Sequence, residues 1–331
     1  EMCIRDRSNI MKKVMFLMML LLGVKAWGQD GYFVSSKSSE TIIKTVELTE
    51  EQKFVQDNFK KLNVADWYRG MRFMAIYKPD IYDMSLLRGE NGAKLSDYYH
   101  QIIAVDTIVE RTVSCPAGSC IRTYILFNTD TGTPLEYEFI GGIDEMRDAN
   151  FNHIEGIVPL DDIDIARKLL LGKTLYSMTR LGHIDTDKGL RVIRVNKFAP
   201  YKIEEIGIGN AECPVKIVVK GNDGKKCCFL VSMNGINNVP NNFLLGDGYF
   251  HNVFSFSNPR VKYKNIPSST WNLIIGGKVK IGMTKEHCQL SWGNPEKVNV
   301  TTGSFGTHEQ WVYNGNSYLY FENGKLTAIQ N

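Results

Sequence analysis

Cys288 and His308, in the C-terminal part of this 331-residue chain, are a thiol and an imidazole that could act together as nucleophile and base if the fold brings them together. A thiol becomes reactive at neutral pH when an imidazole or another cation stands beside it. The local pattern points the other way. Cys288 takes an apolar position in a helical run, where a cysteine behaves as a small core residue. The six histidines (His100, His153, His183, His251, His287 and His308) are scattered, and no H-E-x-x-H is present. Gly303-Ser304-Phe305-Gly306 lacks the spacing of a nucleophile elbow. Gly141-Gly142 and Gly276-Gly277 form neither a phosphate loop nor a dinucleotide fingerprint. These absences predict a protein without catalytic activity, cofactor or resident metal, and leave a Cys288/His308 hydrolase as a lesser alternative. Cys115 and Cys120 flank a Pro/Gly loop between β-rich segments, so a hairpin-neck disulfide is expected. Cys213 could pair with Cys227 or Cys228, and of the last two, adjacent on a strand, one should point inward. Trp67, Tyr68, Tyr98 and Tyr99 could stack on sugars if exposed, the basis of a second alternative, a carbohydrate- or peptidoglycan-binding protein.

The elements that would position these residues are mainly β. Thr49-Glu50-Glu51-Gln52 is a capping box, and a helix with Phe54, Val55, Phe59 and Leu62 on one stripe should follow. From 65 to 265, short Val/Ile/Tyr/Phe runs alternate with turn residues. Two stretches share one order, a Gly-led strand, a long strand and a hairpin. The first has Gly70 to Phe73, 102–109, 123–127 and 135–140; the second has Gly172 to Tyr176, 192–206, 215–219 and 227–231. They predict two small SH3-like β-barrel units, spanning 49–150 (with the first helix) and 151–266. Asp161, Asp162 and Asp164 suit the start of a helix between the units. The aromatic segment Phe250 to Pro259 reads as a further strand.

Lys+Arg number 39 against Asp+Glu 36, and beyond residue 28 the two balance. A chain without net charge has no general pull on phosphate backbones, which argues against nucleic acid as a partner. Hydrophobic content of 43% with 23% charged residues excludes wholesale disorder. Residues 1–10, beginning EMCIRDR, read as sequence foreign to the protein. Residues 11–28 read as a signal peptide: Lys12 and Lys13, the apolar run Val14 to Val24, then Ala26-Trp27-Gly28 with cleavage before Gln29. Residues 29–48 read as a linker. The expected mature chain has no transmembrane segment and works in the periplasm or outside the cell. Between Tyr249 and Lys285 no acid occurs, while Arg260, Lys262, Lys264, Lys278 and Lys280 supply charge for an acidic partner or for a solvated face.

From 267 to 331 the pattern changes to two helices and three strands, with turns at Asn314-Gly315 and Asn323-Gly324. Gly282-Met-Thr-Lys-Glu-His-Cys-Gln-Leu-Ser-Trp-Gly-Asn-Pro295, the Trp311-Val-Tyr strand and Tyr318 to Leu326 resemble the SmpA/OmlA family. Its best-known member is the small lipoprotein of the outer-membrane β-barrel assembly machinery. The resemblance implies an α-α-β-β-β two-layer module that binds other proteins. Leu319 and Phe321 should face the helices, which leaves Tyr318 and Tyr320 as candidate partner contacts on the opposite face. Taken together, the reading is a cell-envelope scaffold or protein-binding protein that docks on another envelope protein through its tail.

Overall fold

The computed structural model describes residues 47–76, 87–89, 92–116, 118–233, 241–242, 246–304, 306–313 and 316–330. The expected signal peptide, most of the linker and the Asn314-Gly315 turn lie outside them. Leu48–Asn331 is one compact unit. Among the described residues the fold is mostly β, with 44% strand against 23% helix.

The first sheet contains β1 (Arg72–Ala75), β2 (Leu87–Gly89), β3 (Ile102–Cys115), β4 (Gly118–Thr129), β5 (Pro134–Phe139) and β6 (Ile157–Pro159), in the order β2-β5-β4-β3-β1-β6. The second contains β7 (Thr174–Ser177), β8 (Leu181–Thr186), β9 (Gly189–Arg194), β10 (Pro200–Ile208), β11 (Val215–Gly221) and β12 (Lys226–Val231). A small ribbon of β13 (Asn241–Asn242) and β14 (Gly246–Asp247) intervenes before β15 (Phe254–Ser255) completes that sheet as β15-β7-β10-β11-β12-β8-β9. The third holds β16 (Lys297–Gly303), β17 (Gly306–Tyr313), β18 (Ser317–Glu322) and β19 (Lys325–Gln330) in chain order. The paired strands of all three run antiparallel.

Among the described residues the α-helices are α1 (Glu50–Asn58), α2 (Ile143–Asp148), α3 (Leu160–Leu170), α4 (Phe250–Val253), α5 (Pro259–Lys262), α6 (Ser268–Ile275) and α7 (Lys285–Trp292). The Thr49/Gln52 capping box starts α1. Phe54 of α1 meets Phe250 and Phe256, so this helix belongs to the core of the second sheet although it precedes the first in sequence. Ile157–Pro159, on the far side of the 150/151 boundary read from the sequence, pairs with β1 in the first sheet. Phe198, Ile266, Trp271 and Ile274 share one cluster across the 266/267 boundary. Burying these apolar side chains together favours one unit over three separate ones.

Three local corrections have local causes. The strand expected over 192–206 is split into β9 and β10, because Phe198 takes φ 62 just before Pro200. Phe250 to Pro259 is a helical turn and a two-residue strand, closed by Asn258, whose side chain accepts from the Arg260 amide. The third sheet has four strands where three were expected. All seven residues of β16 are exposed, so its apolar pattern is too thin to register as a strand.

The pattern likeness of the first two stretches is a repeat of backbone geometry. Gly70 (φ 86) donates to Val105 O, and Val105 N–H donates to Met71 O, at 2.8 and 2.9 Å. Gly172 (φ 77) and Lys173 make the same pair of bonds with Ile203, at 3.1 and 2.9 Å. In each long strand a β-bulge follows at once, at Asp106 and at Glu204. The clasp occurs a third time. Gly282 (φ 89) and Met283 bracket Leu326 at 2.8 Å on both sides, and the pairing shifts at Thr327. There the Gly-led strand stops after the single bridge Thr284↔Lys325, because Thr284 turns to cap α7. A bulge bends its strand and raises the local twist, which lets a second segment cross it.

Candidate functional site

The C-terminal sheet has two unlike faces. Trp311, Leu319, Phe321 and Leu326 face α6 and α7 and pack with Met283, Cys288 and Tyr313. Cys288 is fully buried, and burial pushes its thiol up to about 12. His308 alternates with Glu309, whose carboxylate turns to the helix side and bonds Lys285 Nζ at 2.7 Å and Trp311 Nε1 at 3.1 Å. Burial opposes ionisation of Glu309, but those two hydrogen bonds and the Lys285 charge outweigh it and hold the carboxyl below its ordinary value. His308 therefore stands on the opposite side of the sheet from Cys288, and the proposed thiol–imidazole pair is not assembled.

The outer face carries Tyr318 and Tyr320, both half-buried, with ring centroids 6.5 Å apart. Strand alternation places them there in register with Val312 and Gln310. One run of side-chain hydrogen bonds crosses all four strands. Asn299 Nδ2 donates to Gln310 Oε1 at 2.9 Å, Gln310 Nε2 to the Tyr320 hydroxyl at 3.1 Å, and that hydroxyl to Gln330 Oε1 at 2.8 Å. Linked donors polarise one another and hold the aromatic ring in one orientation. The result is a half-exposed aromatic pair set in a rigid amide frame, a surface suited to recognition. Tyr318 and Tyr320 were legible from alternation. Asn299, Gln310 and Gln330 were not, because their contact depends on the strand register and on β16.

The basic stretch divides. The Arg260 guanidinium lies 5.0 Å over the Trp271 ring and donates to Tyr263 O and Ile266 O, so it holds its own segment together. Lys262 sits 5.3 Å from the Tyr263 ring and is exposed, as are Lys264, Lys278 and Lys280. The cations that join the C-terminal unit to the second sheet lie elsewhere in the sequence. Arg180 donates to the carbonyls of Ile274, Ile275 and Ser291, at the C-terminal ends of α6 and α7. Lys197 Nζ donates to Leu290 O at 2.6 Å, and burial followed by the Arg180 charge lowers its pKa to about 7. Helix C-termini carry unsatisfied carbonyls and partial negative charge, so cations fit there. No sequence motif marks this joint.

The other candidates are placed as follows. Cys115 and Cys120 form a disulfide with Cα atoms 6.1 Å apart. They are not directly opposite: Cys115 faces Gly118, and Cys120 faces Val113. Cys213, Cys227, Cys228 and Cys288 are buried free thiols. Both faces of β12 are covered, with Cys227 in the main core and Cys228 beside His183 of β8, so neither partner expected for Cys213 is joined to it. Trp67 is 7% exposed and cannot offer a stacking face. Tyr68 is exposed, but its hydroxyl donates to Asp161 at 2.6 Å. A groove of about 560 Å3 beside the Asp106 bulge is lined by Trp67, Arg69, Thr107 and Arg147. Its cations are already matched, Arg69 to Asp106 at 2.9 Å and Arg147 to Asp66 at 3.1 Å. Among the described residues no three His, Cys, Asp or Glu side chains gather as a metal site, and no helix is long and apolar enough to cross a membrane. No family model, no curated protein and no solved structure matches the chain.

Proposed function

We propose that this chain is an exported, non-enzymatic cell-envelope protein that binds another envelope protein through the outer face of its C-terminal sheet. The observation that carries the reading is the Asn299–Gln310–Tyr320–Gln330 run, which fixes Tyr320 beside Tyr318 on a sheet face without a covering helix among the described residues. Two features add to it. The segment Gly282 to Leu326 resembles the protein-binding SmpA/OmlA family, here as an α-α-β-β-β-β module. The apolar run Val14 to Val24 behind two lysines reads as an export signal, for the periplasm or the exterior. The first two sheets act as an SH3-like scaffold that carries this module. The test is co-purification from envelope extract with the native protein and with the Tyr318→Ala/Tyr320→Ala double variant. Loss of one or more partners in the variant is expected, and identical partner sets would reject the docking role.

A further inference from the structure

We infer that β16 is a self-pairing edge through which two copies of this chain join their C-terminal sheets. β16 is an end strand of the four-stranded sheet and, among the described residues, pairs only with β17. An end strand leaves every second N–H and C=O without a neighbour on its open side, which is a template for another extended strand. Protein edges are normally blunted by charge, proline or a bulge. Lys297-Val-Asn-Val-Thr-Thr-Gly303 has one charge, at its end, no proline, and an unshifted register along its whole length. The opposite edge, β19, pairs across a register shift.

Its sequence fits a second copy of itself. Antiparallel pairing about a two-fold axis at Val300 sets Val300 against Val300, Val298 against Thr302 and Lys297 against Gly303, so no like charges meet. Val298 and Val300 lie on the helix-side face of the sheet yet are 44% and 58% exposed, beyond the reach of α6 and α7. The pairing brings these valines of the two copies together on that face and continues the sheet to eight strands. This inference stands apart from the partner surface, since Tyr318 and Tyr320 lie on the other face and remain open in the pair.

The test is sedimentation equilibrium of the native chain over ~1–500 μM, a range suited to a small interface. A concentration-dependent dimer is expected, and a monomer throughout would overturn the inference. Val300→Lys places two ammonium groups face to face and should weaken association at least ~10-fold while the thermal melt is kept. A dimer unaffected by that change would also overturn it. Register is read separately under mild oxidation. Val300→Cys should cross-link copy to copy within disulfide reach, and Val298→Cys alone should not. The reverse result would overturn the pairing about Val300.

Discussion

His100 and Phe198 hold the same position in the first and second sheets, and the surroundings give them different work. Each is a non-glycine residue with positive φ, 64 and 62. His100 N–H donates to Ala75 O and Ala75 N–H to Gln101 O; Phe198 N–H donates to Ser177 O and Ser177 N–H to Ala199 O. The following long strand then bulges in both sheets. A left-handed conformation costs an ordinary side chain about 1–2 kcal/mol. In the second sheet packing offsets that cost. Phe198 is 7% exposed and stacks on Trp271 at 5.1 Å, with Lys197 beside it gripping α7. In the first sheet the residues are Tyr99 and His100, stacked on each other at 3.8 Å, with His100 exposed. One backbone framework thus supports a buried joint in one sheet and an open turn in the other. The side chains at the apex decide which.

The largest break in that comparison comes from Arg180. Arg180→Met removes the donor shared by the carbonyls of Ile275 and Ser291, while Ile274 O keeps the Gly277 N–H, and should cost about 2 kcal/mol or more in chemical denaturation, since each desolvated unpaired group costs ~1–3 kcal/mol. Tyr99→Ala, on the first-sheet turn that corresponds to Lys197-Phe198, should cost under ~1 kcal/mol. Equal losses would mean that the two turns are not used differently. Next, Gly70→Ala, Gly172→Ala and Gly282→Ala test whether the three clasps are one device. An added Cβ meets nothing within 4 Å at any of them, so only φ opposes it, and each should cost about 1–2 kcal/mol. A loss confined to one of the three would break the equivalence.

Lys197 adds a pH dependence to the second-sheet joint alone. Its folded pKa of about 7 lies below the ordinary 10.5, so between those values the unfolded chain holds more proton. Stability should therefore rise as pH climbs from about 7 to about 10.5, and Lys197→Met should flatten that slope in denaturation midpoints measured across the range. A slope unchanged in the variant would place the lysine in water. The smallest effect on folding is expected at the partner surface. Tyr320→Phe removes the hydroxyl that links Gln310 to Gln330 and should cost about 1 kcal/mol or less while reducing partner capture. A melt shifted as far as that of Arg180→Met would make the outer face structural.

How much of this was legible varies with the range of the interaction. The helix start at Thr49 follows from residues three positions apart, and its capping box forms. The hairpin turn at Asn323-Gly324 follows from the need for positive φ, and both residues take it. Alternation separated Leu319 and Phe321 from Tyr318 and Tyr320. The carbohydrate reading failed at Trp67 because exposure is not written in residue type. The joint was invisible because Arg180 lies 95 residues from Ile275, and β16 because an exposed strand buries nothing to leave a pattern.

By itself the sequence determined a mainly β chain whose charges balance beyond residue 28, because helix caps, turn glycines and two-residue alternation act over a few positions. Only the tertiary structure decided that α1 crosses to the second sheet, that Arg180 and Lys197 lock the C-terminal helices, and that one line of hydrogen bonds spans the outer face. Those outcomes depend on which distant surfaces meet, and burial free energy settles that over the whole chain at once.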